Sequence, residues 1–159
     1  MFELKKEGTP HKIIFVGPGE FQGEWESVLQ KRTELQLEDC TEFVGPVMGE
    51  ALLDHFRKAT YFIMPSYEEG LPAAILEAGA FGLPMITTPV GAVTDVLTSG
   101  IDSLLVEPGS IPQIKDAMRQ FESADTRKRL GETAKLNVQA FRPEKVIANI
   151  ADAVRSVLA

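Results

Sequence analysis

The sequence predicts an α/β fold of the doubly wound type, with a parallel sheet of about five strands and a helical C-terminus. Short apolar runs recur between residues 12 and 107, as is typical of strands buried on both faces. Stretches with apolar residues three and four positions apart separate these runs and predict helices. Strands that alternate with helices usually lie parallel, because each crossover needs a helix to return the chain.

The first predicted element is a helix end over Phe2 to Lys6, closed by Gly8. In an α/β unit a strand normally precedes a helix, so the chain is expected to begin after the first strand of its own domain. Five apolar runs then predict the strands: KIIFV (12–16), CTEFV (40–44), TYFIM (60–64), PMITT (84–88) and SLLVE (103–107).

Helices are predicted between these strands and after them. Two amphipathic patterns predict the first two helices. The first pattern is Phe21, Trp25, Val28 and Leu29, and the second is Leu52, Leu53 and Phe56. Pro72 suits the first turn of another helix, because it has no N–H group to satisfy. Three helices are predicted from Ile111 onward: IPQIKDAMRQF, ADTRKRLGETAKLNVQAF and PEKVIANIADAVRSVL.

Composition excludes several classes of function. The formal charge of −7 argues against binding a polyanion such as nucleic acid. Cys40 has no second cysteine with which to form a disulfide, so we expect a reducing compartment. Cys40, His11 and His55 are too few to complete a typical zinc coordination shell, so we expect no metal. The sequence shows neither a signal peptide nor the roughly 18 apolar residues of a membrane span, which predicts a cytoplasmic protein.

A glycine pair, Gly17 and Gly19, follows the first predicted strand and could let a ligand approach the backbone. Gly23 comes one residue too late for the dinucleotide fingerprint, and no acidic residue ends CTEFV, where a dehydrogenase needs one. A Rossmann-type dehydrogenase is therefore disfavoured. The pair is equally compatible with an ordinary turn between a strand and a helix.

The most informative segment runs from Pro65 to Ala80, directly after the strand TYFIM. Open α/β sheets bind ligands at the carboxyl ends of their strands. The N–H groups of Ala73 and Ala74 would be free at the start of the helix, and their small side chains would not block a phosphate. The segment therefore predicts an anion site.

Two glutamates flank this helix start. Glu77 lies five residues beyond Pro72, roughly 7.5 Å along the helix axis, which is comparable to the distance from a diphosphate to a ribose. Glu77 could accept hydrogen bonds from ribose hydroxyls, and Glu69 from the hydroxyls of an attached sugar. Equally, Glu68 and Glu69 could only complement the helix dipole, and Glu77 could be a solvated surface charge.

Three stretches resemble the donor-binding C-terminal domain of retaining glycosyltransferases of family 4, which have the two-domain GT-B fold. The stretches are VGPV, FIMPSYEEGLPAAILEAGAFGLPMITTPVGAVTDVL and SLLVEPG, and the likeness extends over residues 2 to 159. The most specific element is Glu69, seven residues, then Glu77, within P-S-x-x-E-G-L-P and L-E-A-x-A-x-G-x-P.

The resemblance implies transfer of a hexose from a nucleotide sugar, such as a UDP- or GDP-sugar, with retention of configuration and without a metal or another cofactor. It makes Glu69 the catalytic residue in contact with the donor sugar and Glu77 the ligand of the ribose hydroxyls. The remaining donor-binding positions that it implies are Gly17, Gly19, Val47, Gly70, Leu71, Pro72, Ala73 and Ala74.

The chain also departs from the family pattern. In that family a strand ending in Gly-Arg, followed shortly by a Lys, opens the domain and clamps the diphosphate, and an N-terminal domain supplies the acceptor site. Neither is present here, so we expect residues 1–159 to form a single donor-binding domain that is inactive alone. It would work with a separate acceptor-binding domain. Its expected location is the cytoplasm, including a peripheral position at the inner face of the membrane.

The missing strand would lie between KIIFV and TYFIM in the family's sheet. We therefore expect these two strands to pair directly, or another chain to pair with their open edges, for example by self-association. A non-catalytic nucleotide-binding or interaction module of the same fold is the alternative function.

Overall fold

A computed structural model describes residues 1–8, 11–17 and 24–158 of the chain. These residues form two compact units, Met1–His55 and the chain from Phe56 onward. Within the described ranges there are five strands, all in parallel ladders, together with eight α-helices and one 3-10 helix. The predicted α/β fold is confirmed.

The first unit contains α1 (Phe2–Lys6), β1 (Ile13–Val16), α2 (Glu24–Glu34) and β2 (Thr41–Gly45), and α3 (Glu50–Lys58) begins in it. Strand β1 pairs in parallel with β2, and the register partners Phe15 and Phe43 stack with their ring centroids 4.4 Å apart. The predicted helix end at Lys6 is confirmed. Phe21, which helped to predict α2, lies outside the described residues.

The second unit contains a three-stranded parallel ladder in the order β3 (Phe62–Met64), β4 (Met85–Thr87) and β5 (Ser103–Leu105). The central strand β4 is buried along its whole length. This burial explains why its sequence is a continuous apolar run rather than an alternating one. Because the three strands are parallel, their carboxyl ends lie at one edge of this ladder.

Among the described residues, five α-helices lie between the strands of this ladder or follow it. The two between the strands are α4 (Ala73–Ala80) and α5 (Val93–Val96), and those that follow are α6 (Ile111–Gln120), α7 (Ala124–Asn137) and α8 (Pro143–Leu158); α3 ends at the start of this unit. The three predicted C-terminal helices are confirmed, except that the last turn of the second is a 3-10 helix, Val138–Phe141. Ser123 caps α7, because its side chain accepts a hydrogen bond from the Thr126 N–H at 3.3 Å.

In the described part of the chain β1 pairs with β2 and β3 pairs with β4, so β1 and β3 are each an edge strand of their own ladder. Direct pairing of KIIFV with TYFIM stays a prediction. Ile14, Phe15 and Val16 of β1 remain 37–43% exposed. Pairing of another chain with this strand stays a prediction.

Two glycines let α4 and the segment after it lie close to the C-terminal helices. A Cβ atom added at Gly131 of α7 would lie 2.1 Å from the carbonyl oxygen of Gly82, and one added at Gly79 of α4 would lie 2.5 Å from Cγ1 of Val138. Real Cβ atoms do not approach so closely, so a side chain at either position would force its neighbour to shift. These close contacts fix the position of α4, the helix that the sequence analysis assigns to the candidate site.

We expect Gly131→Ala to lower the free energy of unfolding by about 1–3 kcal/mol, because the new methyl group meets backbone rather than a movable side chain. Without that clash, alanine within a helix would raise the free energy by roughly 0.5–1 kcal/mol, so the sign of the change is diagnostic. Urea unfolding measures it. Gly70→Ala is the matched control, because nothing lies within 4 Å of its added Cβ; an unchanged or raised value for Gly131→Ala would contradict the close contact.

Candidate functional site

The candidate site is built around the segment from Pro65 to Glu77, which we call the acidic segment. It leaves the carboxyl end of β3 and leads into α4. The Glu69 side chain is half-buried and Glu77 is exposed, and both belong to the second unit. Both predicted carboxylates thus belong to one unit, and Glu69 lies in the segment that leaves the carboxyl end of β3, where parallel sheets bind ligands.

Two threonines at the end of β4 anchor the start of the acidic segment. The Thr87 hydroxyl donates to the carbonyl oxygen of Met64 at 2.9 Å, and the Thr88 hydroxyl donates to that of Ser66 at 2.6 Å. Both threonines are fully buried. Buried hydroxyls with good partners hold the backbone firmly, since breaking either bond would leave a polar group unsatisfied.

Ser66 orients the first glutamate of the pair. Its hydroxyl donates to Oε1 of Glu69 at 2.7 Å. A hydrogen bond to a charged acceptor is stronger than one between neutral groups, so this contact restricts the rotamers of Glu69. Sequence reasoning assigned no role to Ser66, although a serine three residues before a glutamate in a turn was a readable signal.

The loop after β4 supports the middle of the acidic segment. The Ala92 N–H donates to the carbonyl oxygen of Gly70 at 2.9 Å. Gly91 has a φ of +56°, and an added Cβ would lie 2.1 Å from the Glu69 carbonyl oxygen and 2.4 Å from that of Gly70. Only glycine can therefore occupy position 91, a requirement that the sequence analysis missed.

Helix α4 begins without a side-chain cap. Pro72 is its N-cap residue, in an extended conformation with φ −71° and ψ 122°, and makes no side-chain cap hydrogen bond. Ala73 is exposed and Ala74 is half-buried. A helix start of this kind presents backbone N–H groups and the positive end of the helix dipole, and so favours an anion.

The carboxylates complement this helix start chemically. In the described structure, Oε1 of Glu69 accepts from Ser66, while Oε2 is available to accept from a ligand hydroxyl. Glu77 projects from an otherwise apolar helix whose residues Ile75 and Ala78 are buried. The arrangement can bind a molecule that carries an anionic group between two sets of hydroxyl groups.

The other predicted site residues belong to the first unit. Gly17 follows β1, with a φ of +138° and its N–H donating to the Gly45 carbonyl oxygen at 3.0 Å. Val47 follows β2 in a loop between Gly45 and Gly49, both of positive φ. Because β1 and β2 are parallel neighbours, Gly17 and Val47 lie at the same end of their ladder. Gly19 lies outside the described residues.

A cavity of about 460 Å³ in the first unit is a poor candidate for the site. It reaches Lys12 and Thr41, at the amino ends of β1 and β2, whereas parallel sheets bind ligands at the carboxyl ends. Its cations are already engaged: Arg32 donates to the Thr41 hydroxyl at 3.0 Å, and Lys12 pairs with Glu42 at 2.6 Å and lowers the pKa of that carboxyl.

Cys40 and the possible metal ligands are the other groups that could carry chemistry in the described part of the chain. Burial raises the pKa of the half-buried Cys40 thiol, which makes the nucleophilic thiolate scarcer. No three His, Cys, Asp or Glu side chains cluster as a metal would need, within residues 1–8, 11–17 and 24–158. Over the same ranges, no helix has the length and apolar character to cross a bilayer.

Comparison with known proteins adds the chemical context. The family model described as Glycosyl transferases group 1 matches residues 1–137. D-inositol 3-phosphate glycosyltransferase of Kribbella flavida is 33% identical over 108 residues, which are 67% of this chain and 26% of that protein. N-acetyl-alpha-D-glucosaminyl L-malate synthase of Bacillus anthracis is 30% identical over 139 residues, which are 86% of this chain and 35% of that protein.

Solved structures show the same fold. Sucrose-phosphate synthase of Thermosynechococcus elongatus superposes with a TM-score of 0.84 at 23% identity, over 99% of this chain and 41% of that one. HepE of Anabaena in complex with UDP superposes with a TM-score of 0.83 at 20% identity, over 98% of this chain and 44% of that one. The chain thus spans less than half the length of these proteins.

Proposed function

The chain belongs to the glycosyl transferases group 1 family, and from this premise we propose that it binds the nucleotide-sugar donor in a retaining glycosyl transfer. The diphosphate would lie at the start of α4, on the N–H groups of Ala73 and Ala74. Gly70, Leu71 and Pro72 would form the turn that passes beside it.

The observation that carries this proposal is the position of the uncapped start of α4 between Glu69 and Glu77. A diphosphate supplies the anion that the helix start favours. Ribose hydroxyls on one side and sugar hydroxyls on the other supply donors for the two carboxylates. A solved relative of the same fold carries UDP, and another structure of that protein carries UDP-glucose, which supports this ligand class.

Within this proposal the two glutamates have different tasks. Glu77 would accept hydrogen bonds from the ribose and so contribute to the binding of any nucleotide. Glu69 would contact the transferred sugar and act as the catalytic residue. Gly17, Gly19 and Val47 stay predicted donor-binding positions.

We also propose that transfer requires a separate acceptor-binding domain. The chain matches only 26–35% of the length of the curated relatives described above. Helix α8 has an apolar stripe suited to docking such a domain, since Val146, Ile147, Ile150 and Val154 remain 37–65% exposed along one side. Contacts with the second domain would complete the electrostatic stabilisation of the leaving diphosphate.

A calorimetric titration with UDP, GDP, ADP and NAD tests the donor class. We expect one nucleoside diphosphate to bind saturably, and NAD not to bind, because no acidic residue ends CTEFV, where a dehydrogenase needs one for the ribose. Circular dichroism and a cooperative unfolding transition would show that the same sample is folded. Saturable binding of NAD alone, or of no nucleotide at all to the folded chain, would contradict the proposed function.

A further inference from the structure

Ser66 occupies the centre of a short relay of hydrogen bonds. Its carbonyl oxygen accepts from the Thr88 hydroxyl at 2.6 Å, and its own hydroxyl donates to Oε1 of Glu69 at 2.7 Å. Thr88 is fully buried at the end of β4, while Glu69 is half-buried in the acidic segment. The relay therefore links the rigid core to a carboxylate at its surface.

We infer that Ser66 is a positioning residue, whose hydroxyl holds the Glu69 carboxylate in the orientation in which Oε2 accepts a hydroxyl of the donor sugar. This inference rests on the proposed function, since it concerns the contact between Glu69 and the sugar. Thr88 contributes indirectly to the orientation of Glu69, because its hydroxyl holds the backbone of Ser66 in place.

The physical reason is preorganisation. A glutamate side chain has three rotatable bonds, and fixing them at the moment of binding costs conformational entropy. A carboxylate already held by a charge-assisted hydrogen bond has lost that freedom during folding, so a ligand hydroxyl binds it with a smaller penalty. The arrangement also directs one oxygen to the protein and leaves the other for the ligand.

The two threonines provide an internal comparison. Thr87 and Thr88 are adjacent, equally buried, and each donates to a backbone carbonyl oxygen. Only Thr88 contacts Ser66, whereas Thr87 contacts Met64, which is still within β3. Loss of either hydroxyl should lower stability to a similar extent, but only loss of the Thr88 hydroxyl should disturb Glu69.

The test measures how much the sugar adds to nucleotide affinity. Calorimetry gives the dissociation constants of UDP and UDP-glucose, GDP and GDP-glucose, and ADP and ADP-glucose, and the pair that the wild-type chain binds best is used throughout. The sugar increment is the ratio of the two constants. We expect Ser66→Ala to reduce this increment by about 5- to 10-fold while the affinity for the free diphosphate changes less than about twofold.

Conservative variants separate a loss of Glu69 positioning from a general loss of stability. Ser66→Thr keeps the hydroxyl and should restore most of the increment. Thr88→Val should reduce the increment, and Thr87→Val should leave it unchanged even if both variants unfold at a lower temperature. The ¹³C resonance of the Glu69 side-chain carboxylate carbon, Cδ, should shift in Ser66→Ala, and that of Glu77 should not.

The possible failures are distinguishable. If the wild-type chain shows a sugar increment and Ser66→Ala retains it in full, or if Thr87→Val and Thr88→Val reduce it equally, the positioning role is wrong and the proposed function stands. If the folded wild-type chain binds none of the six nucleotides, the proposed function fails and the inference fails with it, whatever the carboxylate resonance shows.

Discussion

Glu77→Gln is expected to weaken binding of the preferred nucleoside diphosphate by about 10- to 100-fold, because a neutral amide cannot replace the carboxylate that we propose accepts two ribose hydrogen bonds. The side chain is exposed on α4 while the neighbouring Ile75 and Ala78 are buried, so the substitution should leave the core intact. Calorimetric titration of the wild type and the variant with the same nucleotide measures the effect.

Glu68→Gln is the matched control for this prediction. Glu68 is also exposed and lies in the same acidic segment, and the substitution removes the same charge. It should change the affinity by less than about threefold, since an exposed charge without a defined contact contributes little. An equal loss in both variants would mean that Glu77 acts only through the overall charge of the segment.

The nucleotide itself offers a second control. The 2′-deoxy form of the preferred diphosphate lacks one of the hydroxyls assigned to Glu77. The difference between wild type and Glu77→Gln should therefore become smaller with the deoxy nucleotide, because the carboxylate then has less to bind. A difference of the same size with both nucleotides would place Glu77 away from the ribose.

Gly91→Ala should have the largest effect on the architecture of the site. We expect the free energy of unfolding to fall by about 2–4 kcal/mol, the sum of a strained left-handed backbone and a steric clash. The added Cβ would lie 2.1 Å from the Glu69 carbonyl oxygen, and backbone atoms cannot yield as a flexible side chain can. Urea unfolding measures the loss of stability.

The same substitution should also reduce the sugar increment in nucleotide binding. Relief of the clash requires either the loop at Gly91 or the acidic segment at Glu69 and Gly70 to move. Such a movement would break the hydrogen bond from the Ala92 N–H to Gly70 and displace the Glu69 backbone. A variant that remains folded and keeps the full increment would show that the loop does not set the position of Glu69.

Gly100→Ala separates the two contributions to this loss. Gly100 also has a positive φ, +79°, but nothing lies within 4 Å of its added Cβ. The free energy of unfolding of Gly100→Ala should therefore fall only by the backbone strain, about 1–2 kcal/mol, and nucleotide binding should be unchanged. Equal losses of stability at Gly91 and Gly100 would mean that the loop accommodates the methyl group without a clash.

Much of the fold was predictable because it depends on local patterns. The run PMITT predicted a strand buried on both faces, and β4 is one. The stretches IPQIKDAMRQF and PEKVIANIADAVRSVL predicted helices, and α6 and α8 cover them over Ile111–Gln120 and Pro143–Leu158. The pairing of β1 was not predictable in this way, because an apolar run does not encode which neighbouring run becomes its partner.

Part of the candidate site was likewise predictable from local spacing, and part of it depends on tertiary contacts. The spacing of Pro72, Ala73 and Glu77 on one helix follows from helix geometry, so their relation was predictable without a structure. Ser66 and Glu69 are also close in sequence, yet their contact depends on side-chain rotamers that no spacing rule specifies. Thr88 and Gly91 meet the acidic segment only because β3 and β4 are adjacent strands.

By itself, the sequence determined the α/β class, the uncapped helix start and the two carboxylates beside it, because each rests on residues close together along the chain. Only the tertiary structure decided which strands pair, why position 91 must be glycine, and how Thr88 and Ser66 hold Glu69. The contacts of Thr88 with Ser66 and of Gly91 with Glu69 join residues about twenty positions apart, and they depend on the pairing of β3 with β4, which sequence periodicity does not specify.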